Sequence, residues 1–331
     1  MPARRHRLPP VSLRLPPDLI GAAPSVRRAV EGTRRAAASS DPVLISAEPG
    51  FSGERVARAI HDAGSRSGLL FVRVDCTEGP TAVTRALFGP GALPRSGWET
   101  ASSGSALSKV SAGTLFLAAV EELPASAQVR LSRLLRDGEL RVARAIEPVR
   151  FRIIASTTPD LECDVQARRF RPELYRRLQR IRIDVPPLRT RRADLPAIID
   201  AVLTELDDRS PVPWKVDPAA AAALAALQWV GNLDEMRAAL SRLAERSGNG
   251  LIRQEDVLAD LQASGSRGRR NGTVSLRDAR ITFERDYIET VLEESGWRMT
   301  HAARVLGIER ANLYRKTRQL GITRLKPLTT R

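Results

Sequence analysis

The chain has 331 residues, 42% of them hydrophobic, which is enough for about two or three domains with a real core and excludes a disordered chain. Its net charge of +15 fits a phosphate-rich partner. However, only four of the 53 basic residues are lysines (Lys109, Lys215, Lys316, Lys326), so the composition is arginine-rich throughout and charge counts as functional evidence only where it clusters on one element. Two cysteines, Cys76 and Cys163, exclude a disulfide or zinc framework and fit a reducing cytoplasm. Prolines in the basic opening MPARRHRLPPVSLRLPP exclude a signal-peptide core, and no run approaches the ~18–20 apolar residues of a membrane span.

Residues 1–17 read as a basic Pro-rich tail with nothing to build a core. From 18 to 185, short apolar runs at Val43–Ile45, Leu69–Val74, Thr114–Leu117 and Phe151–Ala155 read as buried parallel strands. Amphipathic helices such as Glu54–His61 and Ala125–Arg136 lie between them, and the alternation predicts a doubly wound α/β sheet. Residues 186–262 turn helical (DLPAIIDAVLTELDD, DPAAAAALAALQW, LDEMRAALSRLAERSG) and predict a helical subdomain without strands. ASGSRGRRNGTVS, residues 263–275, reads as a flexible linker. A compact helical unit follows over 276–331. Ser275 with Asp278 forms a capping-box pattern, and Phe283, Tyr287, Ile288, Val291 and Leu292 form one apolar stripe.

Two stretches carry chemistry. The first, LISAEPGFSGERVARAIH (44–61), has a hydrophobic strand, glycine-spaced small residues and an amphipathic helix, the layout in which backbone N–H groups and a helix N-terminus cradle phosphates. A P-loop needs G-x-x-x-x-G-K-[ST], and this stretch contains no lysine.

The second, SGWRMTHAARVLGIERANLYRKTRQLGI (295–322), reads as helix, turn, helix. Thr300 is placed to cap a short helix whose Ala302, Val305 and Leu306 face inward, and Ala303 is small where a second helix must cross. Gly307 supplies a positive φ, Ile308 and Leu313 plug the joint, and Arg310 to Gln319 form the second helix. Seven Lys/Arg against one acid, Glu309, lie between 300 and 326, so here the positive charge does cluster. Arg310, Asn312, Arg315, Lys316 and Arg318 are the expected DNA-facing residues. Arginine pairs bidentately with guanine and asparagine with adenine, while Thr300, His301 and Lys316 would hold phosphates.

On its AARVLGI…NLYRKTRQLGI pattern this last unit resembles the Fis-type helix-turn-helix that closes many bacterial enhancer-binding regulators. Residues 18–262 in turn resemble the AAA+ domain of sigma-54-dependent transcriptional activators. The phrases that carry the likeness include DLIGAAPSVRRAV, ERVARAIH, FVRVDC, ALFG, AGTLFL, EELP, LLRDGELRVAR, FRIIAST, FRPELYRRL, VPPLRTRRADLPAI and W-x-GNL-x-EMR. The resemblance implies an AAA+ parallel sheet sandwiched by helices, a helical lid subdomain over 186–262 and an all-α helix-turn-helix domain.

At the family's functional positions the residues differ. Its loop reads close to GESGTGKE, against Ala47-Glu48-Pro49-Gly50-Phe51-Ser52-Gly53-Glu54 here, with Gly53 in the lysine's place. What remains of a nucleotide loop is Glu48, Gly50, Gly53 and Glu54. The Walker B Asp-Glu pair is replaced by Ala118-Ala119, and Glu121 and Glu122, shifted along the chain, are expected to aim elsewhere. Thr158 replaces the sensor asparagine and Asp234 the sensor arginine. With the lysine, metal ligand and base all missing, no catalytic residue, metal site or required cofactor is expected, and weak retention of ATP or ADP stays open.

The GAFTGA sigma-contact loop would lie between Gly89 and Gly113, where only Gly91-Ala92 and Ser96-Gly97 echo it. Arg171 and Arg177 match the family's two arginine fingers, and His61 and Cys76 match positions expected to pack. The expected protein is a cytoplasmic, DNA-binding transcriptional regulator and pseudo-ATPase. Its expected partners are double-stranded DNA, further copies of itself (a dimer through the DNA-binding domain, a higher-order ring) and an AAA+ homologue or RNA polymerase. A working activator ATPase with an atypical site, or a non-hydrolysing partner of an active homologue, are the alternatives.

Overall fold

The computed structural model describes residues 13–91, 98–142, 145–158, 161–207, 213–247 and 250–268, and in the C-terminal region residues 288, 292, 295, 297, 299–306 and 310–319. It divides into two compact units, Met1–Asp260 and Leu261–Arg331.

In the first unit, helix α1 (Pro24–Ala38) leads into strand β1 (Val43–Ala47) and helix α2 (Gly53–Asp62), and β2 (Phe71–Asp75) is followed by α3 (Pro80–Phe88). Next come β3 (Thr100–Ala101), α4 (Ala106–Val110), β4 (Thr114–Ala118), α5 (Ala125–Asp137), and a hairpin of β5 (Glu139–Val142) and β6 (Ala145–Pro148). The sheet is completed by β7 (Arg152–Thr157) and β8 (Ile181–Val185), with α6 (Leu161–Gln166) and α7 (Pro172–Leu178) between them. Five strands form one parallel sheet in the order β2-β4-β7-β1-β8.

Both faces of the sheet are covered, because successive side chains of a strand point to opposite sides. Leu115 and Leu117 join one buried cluster with Val83, Phe88, Leu131 and Leu174, while Phe116 between them joins another with Ala29, Val56 and Ile60. The predicted strands and helices of this region appear with ends shifted by one or two residues. β8 and the β5–β6 hairpin, which pairs with β3 in a small second sheet, were not anticipated. Leu15 packs on the second cluster and Asp18 and Leu19 are buried, so the end of the N-terminal segment does contribute to the core.

Helices α8 (Leu195–Asp207), α9 (Pro218–Ala226) and α10 (Asn232–Ser247) build the lid around Leu195, Ile198, Val202, Leu224, Trp229, Met236 and Leu240. The expectation of a strand-free lid is overturned. β9 (Lys215–Val216) pairs in parallel with β10 (Leu251–Ile252), strands too short to show any alternation in sequence. The expected linker is corrected as well: α11 runs Gln254–Gly268, so residues 263–268 continue a helix, and 269–275 lie outside the described residues.

Candidate functional site

Parallel pairing places Ser46 beside Thr157 and Asp75 beside Ala118, so the C-terminal ends of β1, β4 and β7 converge. A cleft of about 370 Å³ opens there, lined by the loop 47–55, Ala118, Ala119, Glu121, residues 156–158 and the lid's Asp234. This is where an open parallel sheet offers a ligand site. Gly53 is the first residue of α2. A Cβ added to it would overlap the Cβ of Ser156 on β7, so the position that would need a lysine has no room for a side chain.

The loop's polar groups are taken up by the protein itself. Ser52 N–H, at the start of α2, donates to the buried Asp18 carboxyl at 3.3 Å, so this chain's own side chain takes up that donor, and burial raises the pKa of Asp18. Glu48 accepts from Arg189 at 2.6 Å, and this guanidinium holds its carboxyl below the usual carboxylate range. Asn232 donates from Nδ2 to Pro49 O at 2.9 Å and accepts from Leu188 N–H at 3.1 Å. Asp234 N–H donates to Gly50 O at 2.9 Å.

Gly50 has φ +88°, and its Cα lies so close to the Gly231 carbonyl that a Cβ would overlap it. Phe51 packs against both the sheet-side and the lid clusters, with the Arg191 guanidinium 5.4 Å from its ring centre. Burial brings Arg191 down to about 10. The lid is thus fastened to the loop by this chain's own side chains. Asp194 adds to the fastening by accepting Ala22 N–H at 2.7 Å.

At the end of β4 the structure corrects one expectation. Ala119 takes a left-handed conformation (φ +51°), and the turn over Val120–Glu122 brings Glu121 back into the cleft. Its Oε1 accepts Thr158 N–H at 3.1 Å, and its buried Oε2 has no hydrogen-bond partner among the described residues. Glu122 is exposed. Glu54 pairs with Arg58 at 2.8 Å and Arg73 at 3.1 Å. Glu48, Glu54, Glu121 and Asp234 share the cleft lining with Arg55 and Arg73, and of these Glu48 and Glu54 are already held by Arg189, Arg58 and Arg73.

Arg171 and Arg177 lie at the other side of α5, on a second cleft of about 760 Å³. Arg171 is exposed with no side-chain partner among the described residues, whereas half-buried Arg177 donates to Leu135 O at 3.0 Å near the end of α5. His61 is buried against Thr114 Oγ1 at 2.8 Å and edge-on to Phe71, and burial lowers its pKa. The buried Cys76 thiol is pushed up to about 12 by desolvation, so it carries no thiolate near neutrality. Of the sigma-loop echoes, Gly91 is described, whereas Ala92, Ser96 and Gly97 lie outside the described residues.

In the C-terminal unit, helices Met299–Val305 and Arg310–Gln319 pack through Ala302, Ala303 and Leu313 onto Ile288 and Leu292, with Trp297 and Leu306 beside them. Thr300 lies inside the first turn rather than capping it, because the helix starts at Met299. Thr300, His301 and Arg310 are exposed, Asn312 and Lys316 half-buried, and His301 Nδ1 meets Ser295 Oγ at 3.2 Å. Arg315 and Arg318 fall on the second helix. Ser275, Asp278, Phe283, Tyr287, Val291, Gly307, Ile308 and Glu309 lie outside the described residues.

Sequence reasoning missed Asp18, Arg189 and Asn232, which only long-range contacts bring to the loop. It also missed Arg133, Arg136, Arg176 and Arg180, which share the second cleft with Arg171 and Arg177. The run RRLQR at 176–180 was the available signal for Arg176 and Arg180.

Among the described residues no helix is long and apolar enough to cross a membrane. Family models match the chain at residues 19–184 (sigma-54 interaction domain), 189–273 (AAA+ ATPase lid domain) and 280–320 (bacterial regulatory protein, Fis family). The PTS-dependent dihydroxyacetone kinase operon regulatory protein of Escherichia coli is 33% identical over 86% of this chain and 44% of its own length. The response regulator protein PilR of Pseudomonas aeruginosa is 33% identical over 86% of this chain and 65% of its own. The chain thus spans less than two thirds of either relative. Among solved structures, NtrX from Brucella abortus in complex with ADP superimposes with a TM-score of 0.62 at 27% identity, covering 94% of this chain and 70% of that one. With an AAA+ sheet and lid ahead of a Fis-type helix-turn-helix, the chain belongs to the family of sigma-54 enhancer-binding transcriptional regulators.

Proposed function

We propose that this protein is a cytoplasmic, sequence-specific DNA-binding regulator of transcription whose AAA+ scaffold does not hydrolyse ATP. The observation that carries the second half is the close packing at Gly53, where a lysine's Cβ would lie 2.4 Å from the Cβ of Ser156 and could enter only by displacing it. The residues present do not suit a magnesium–triphosphate. Four carboxylates against two guanidinium groups line the cleft, and the methyl groups of Ala118 and Ala119 bind no cation. NtrX of Brucella abortus has been solved with ADP and with ATP. Here the lid is instead held on the loop by Asn232, Arg189 and Phe51. Regulation then acts through occupancy of DNA by the Fis-type unit, paired on inverted half-sites, with the scaffold supplying self-association.

ATP turnover by the purified chain above a no-protein blank overturns the non-hydrolysing reading. For the DNA-binding half, the full chain should shift its own operator fragments at salt concentrations that release random DNA. Arg315→Ala should weaken operator binding by about 1–3 kcal/mol and relax the preference at one base pair. Equal binding to operator and random DNA removes sequence specificity.

A second reading, a non-hydrolysing subunit that completes a homologue's ATP site, is favoured by one feature: the Arg171 side chain is exposed, with no partner among the described residues. It predicts that added chain raises a homologue's ATPase rate and that Arg171→Ala abolishes the effect. A working ATPase has in its favour only Glu121, whose carboxylate reaches the cleft. Contact with RNA polymerase would have to use a surface other than a GAFTGA loop.

A further inference from the structure

The cleft between α5 and α7 holds more arginines than the two finger-like ones, Arg171 and Arg177. Six arginines line it: Arg133 and Arg136 from α5, Arg171 at the start of α7, and Arg176, Arg177 and Arg180 along and just beyond α7. Only two carboxylates, Asp41 and Glu173, share the space. Elsewhere in the same unit arginines sit against acids, as Arg58 does on Glu54, Arg182 on Asp184 and Arg242 on Asp260. Here Arg136 pairs with Asp137 at 2.8 Å and Arg133 with Glu99 at 3.3 Å, whereas Arg171, Arg176, Arg177 and Arg180 have no ion pair among the described residues.

The guanidinium groups retain unused donors. Arg171 and Arg180 have no side-chain partner among the described residues. Arg176 gives one N–H to Pro172 O at 3.4 Å, Arg177 one to Leu135 O at 3.0 Å and Arg133 one to Glu99 at 3.3 Å, while Arg136 spends two on Asp137; among the described residues the others of their five donors are unused. The buried hydroxyl of Ser132, a residue 6% exposed and also lining the cleft, has no hydrogen-bond partner among the described residues. At about 760 Å³ the cleft has the size of a small-molecule site.

We infer that this cleft binds a compact anion bearing two neighbouring phosphate groups, such as a diphosphate or bisphosphate, and so gives the scaffold an effector site separate from the altered nucleotide cleft. Phosphate is favoured over a lone carboxylate because two phosphate groups bring about three to four negative charges to the four guanidinium groups that stand outside any ion pair, where a carboxylate brings one. The planar guanidinium fork also matches phosphate oxygens bidentately. Arg171 and Arg177 alone would fit an arginine-finger role, but the four further arginines have no part in such a role.

The test is calorimetric titration of the full chain with inorganic pyrophosphate, and with orthophosphate for comparison, at fixed salt. The expected result is saturable binding of one pyrophosphate per chain, at least tenfold tighter than orthophosphate, and at least tenfold weaker in the double variant Arg136→Gln/Arg180→Gln. That variant removes two exposed side chains that hold nothing in the core, and an unchanged melting temperature without ligand verifies its fold. A second double variant, Arg315→Gln/Lys316→Gln, should leave pyrophosphate binding unchanged. Binding that survives Arg136→Gln/Arg180→Gln but is lost with Arg315→Gln/Lys316→Gln overturns the proposal, because the anion then sits on the DNA-binding unit. No saturable binding below millimolar pyrophosphate also overturns it. If Arg136→Gln/Arg180→Gln then splits an oligomer, the occupant is instead an acidic surface of a second copy.

Discussion

The two clefts of the scaffold hold comparable numbers of charged side chains and use them in opposite ways. In the cleft at the end of the sheet, Glu48 is bound to Arg189 and Asn232, Glu54 to Arg58 and Arg73, and Ser52 N–H to Asp18. In the cleft between α5 and α7, Arg133 and Arg136 pair with Glu99 and Asp137, but Arg171 and Arg180 are free of side-chain partners among the described residues, and Arg176 and Arg177 use a single N–H each on backbone carbonyls. The first cleft has turned its ligand groups inward and become part of the fold. The second keeps a charge imbalance that folding alone would remove. Polar groups satisfied within the chain stabilise it, whereas neighbouring like charges cost stability, and the proposed anion would relieve that cost.

Substitutions on each side can break this contrast. Phe51→Ala has the largest expected effect, about 2–3 kcal/mol of stability, because the ring bridges the sheet-side and lid clusters. Chemical denaturation of the full chain measures it, and a loss under 1 kcal/mol would mean the lid is not held by the loop. Gly53→Lys should destabilise by about 1–3 kcal/mol without conferring ATP turnover, since the new side chain must displace Ser156. A stable, hydrolysing Gly53→Lys protein would mean that the cleft has kept its catalytic geometry.

Arg177→Ala should cost about 0.5–1 kcal/mol through loss of its bond to Leu135 O near the end of α5. Arg171→Ala should be neutral within about 0.5 kcal/mol, as expected of a partnerless side chain. Equal losses at the two positions would erase the distinction between a structural and a free arginine.

Glu48→Gln is the smallest, under about 1 kcal/mol for an ion pair this exposed, and it carries a pH signature. Glu48 has its folded-state pKa lowered, so its contribution is present above its ordinary value near 4.5 and is lost as pH falls through the lower folded value. The difference in melting temperature between wild type and Glu48→Gln should therefore shrink below that pH.

Much of this could be read from the chain without coordinates. The apolar runs at 43, 71, 114 and 152 mark strands because a strand covered on both faces is continuously hydrophobic. The helix after Gly53 is marked by the spacing of Val56, Ala57 and Ile60. The strand pair Lys215–Val216 with Leu251–Ile252 was not legible, since two residues display no period and their pairing is decided by residues some 35 positions apart. Nor was the aim of Glu121, which depends on one left-handed residue, Ala119.

By itself the sequence determined which chemical groups are present: no lysine in the loop, alanines at 118 and 119, and a basic helix-turn-helix pattern at the end. These are facts of composition at fixed spacing, and no fold can add a missing side chain. The tertiary structure alone decided what those groups do to one another. It brought Asp18, Arg189 and Asn232 onto the loop from 34, 141 and 184 residues away and left six arginines facing a common space. Such pairings follow from how sheet and lid pack, and the free energy of a charge depends on the neighbours that packing supplies.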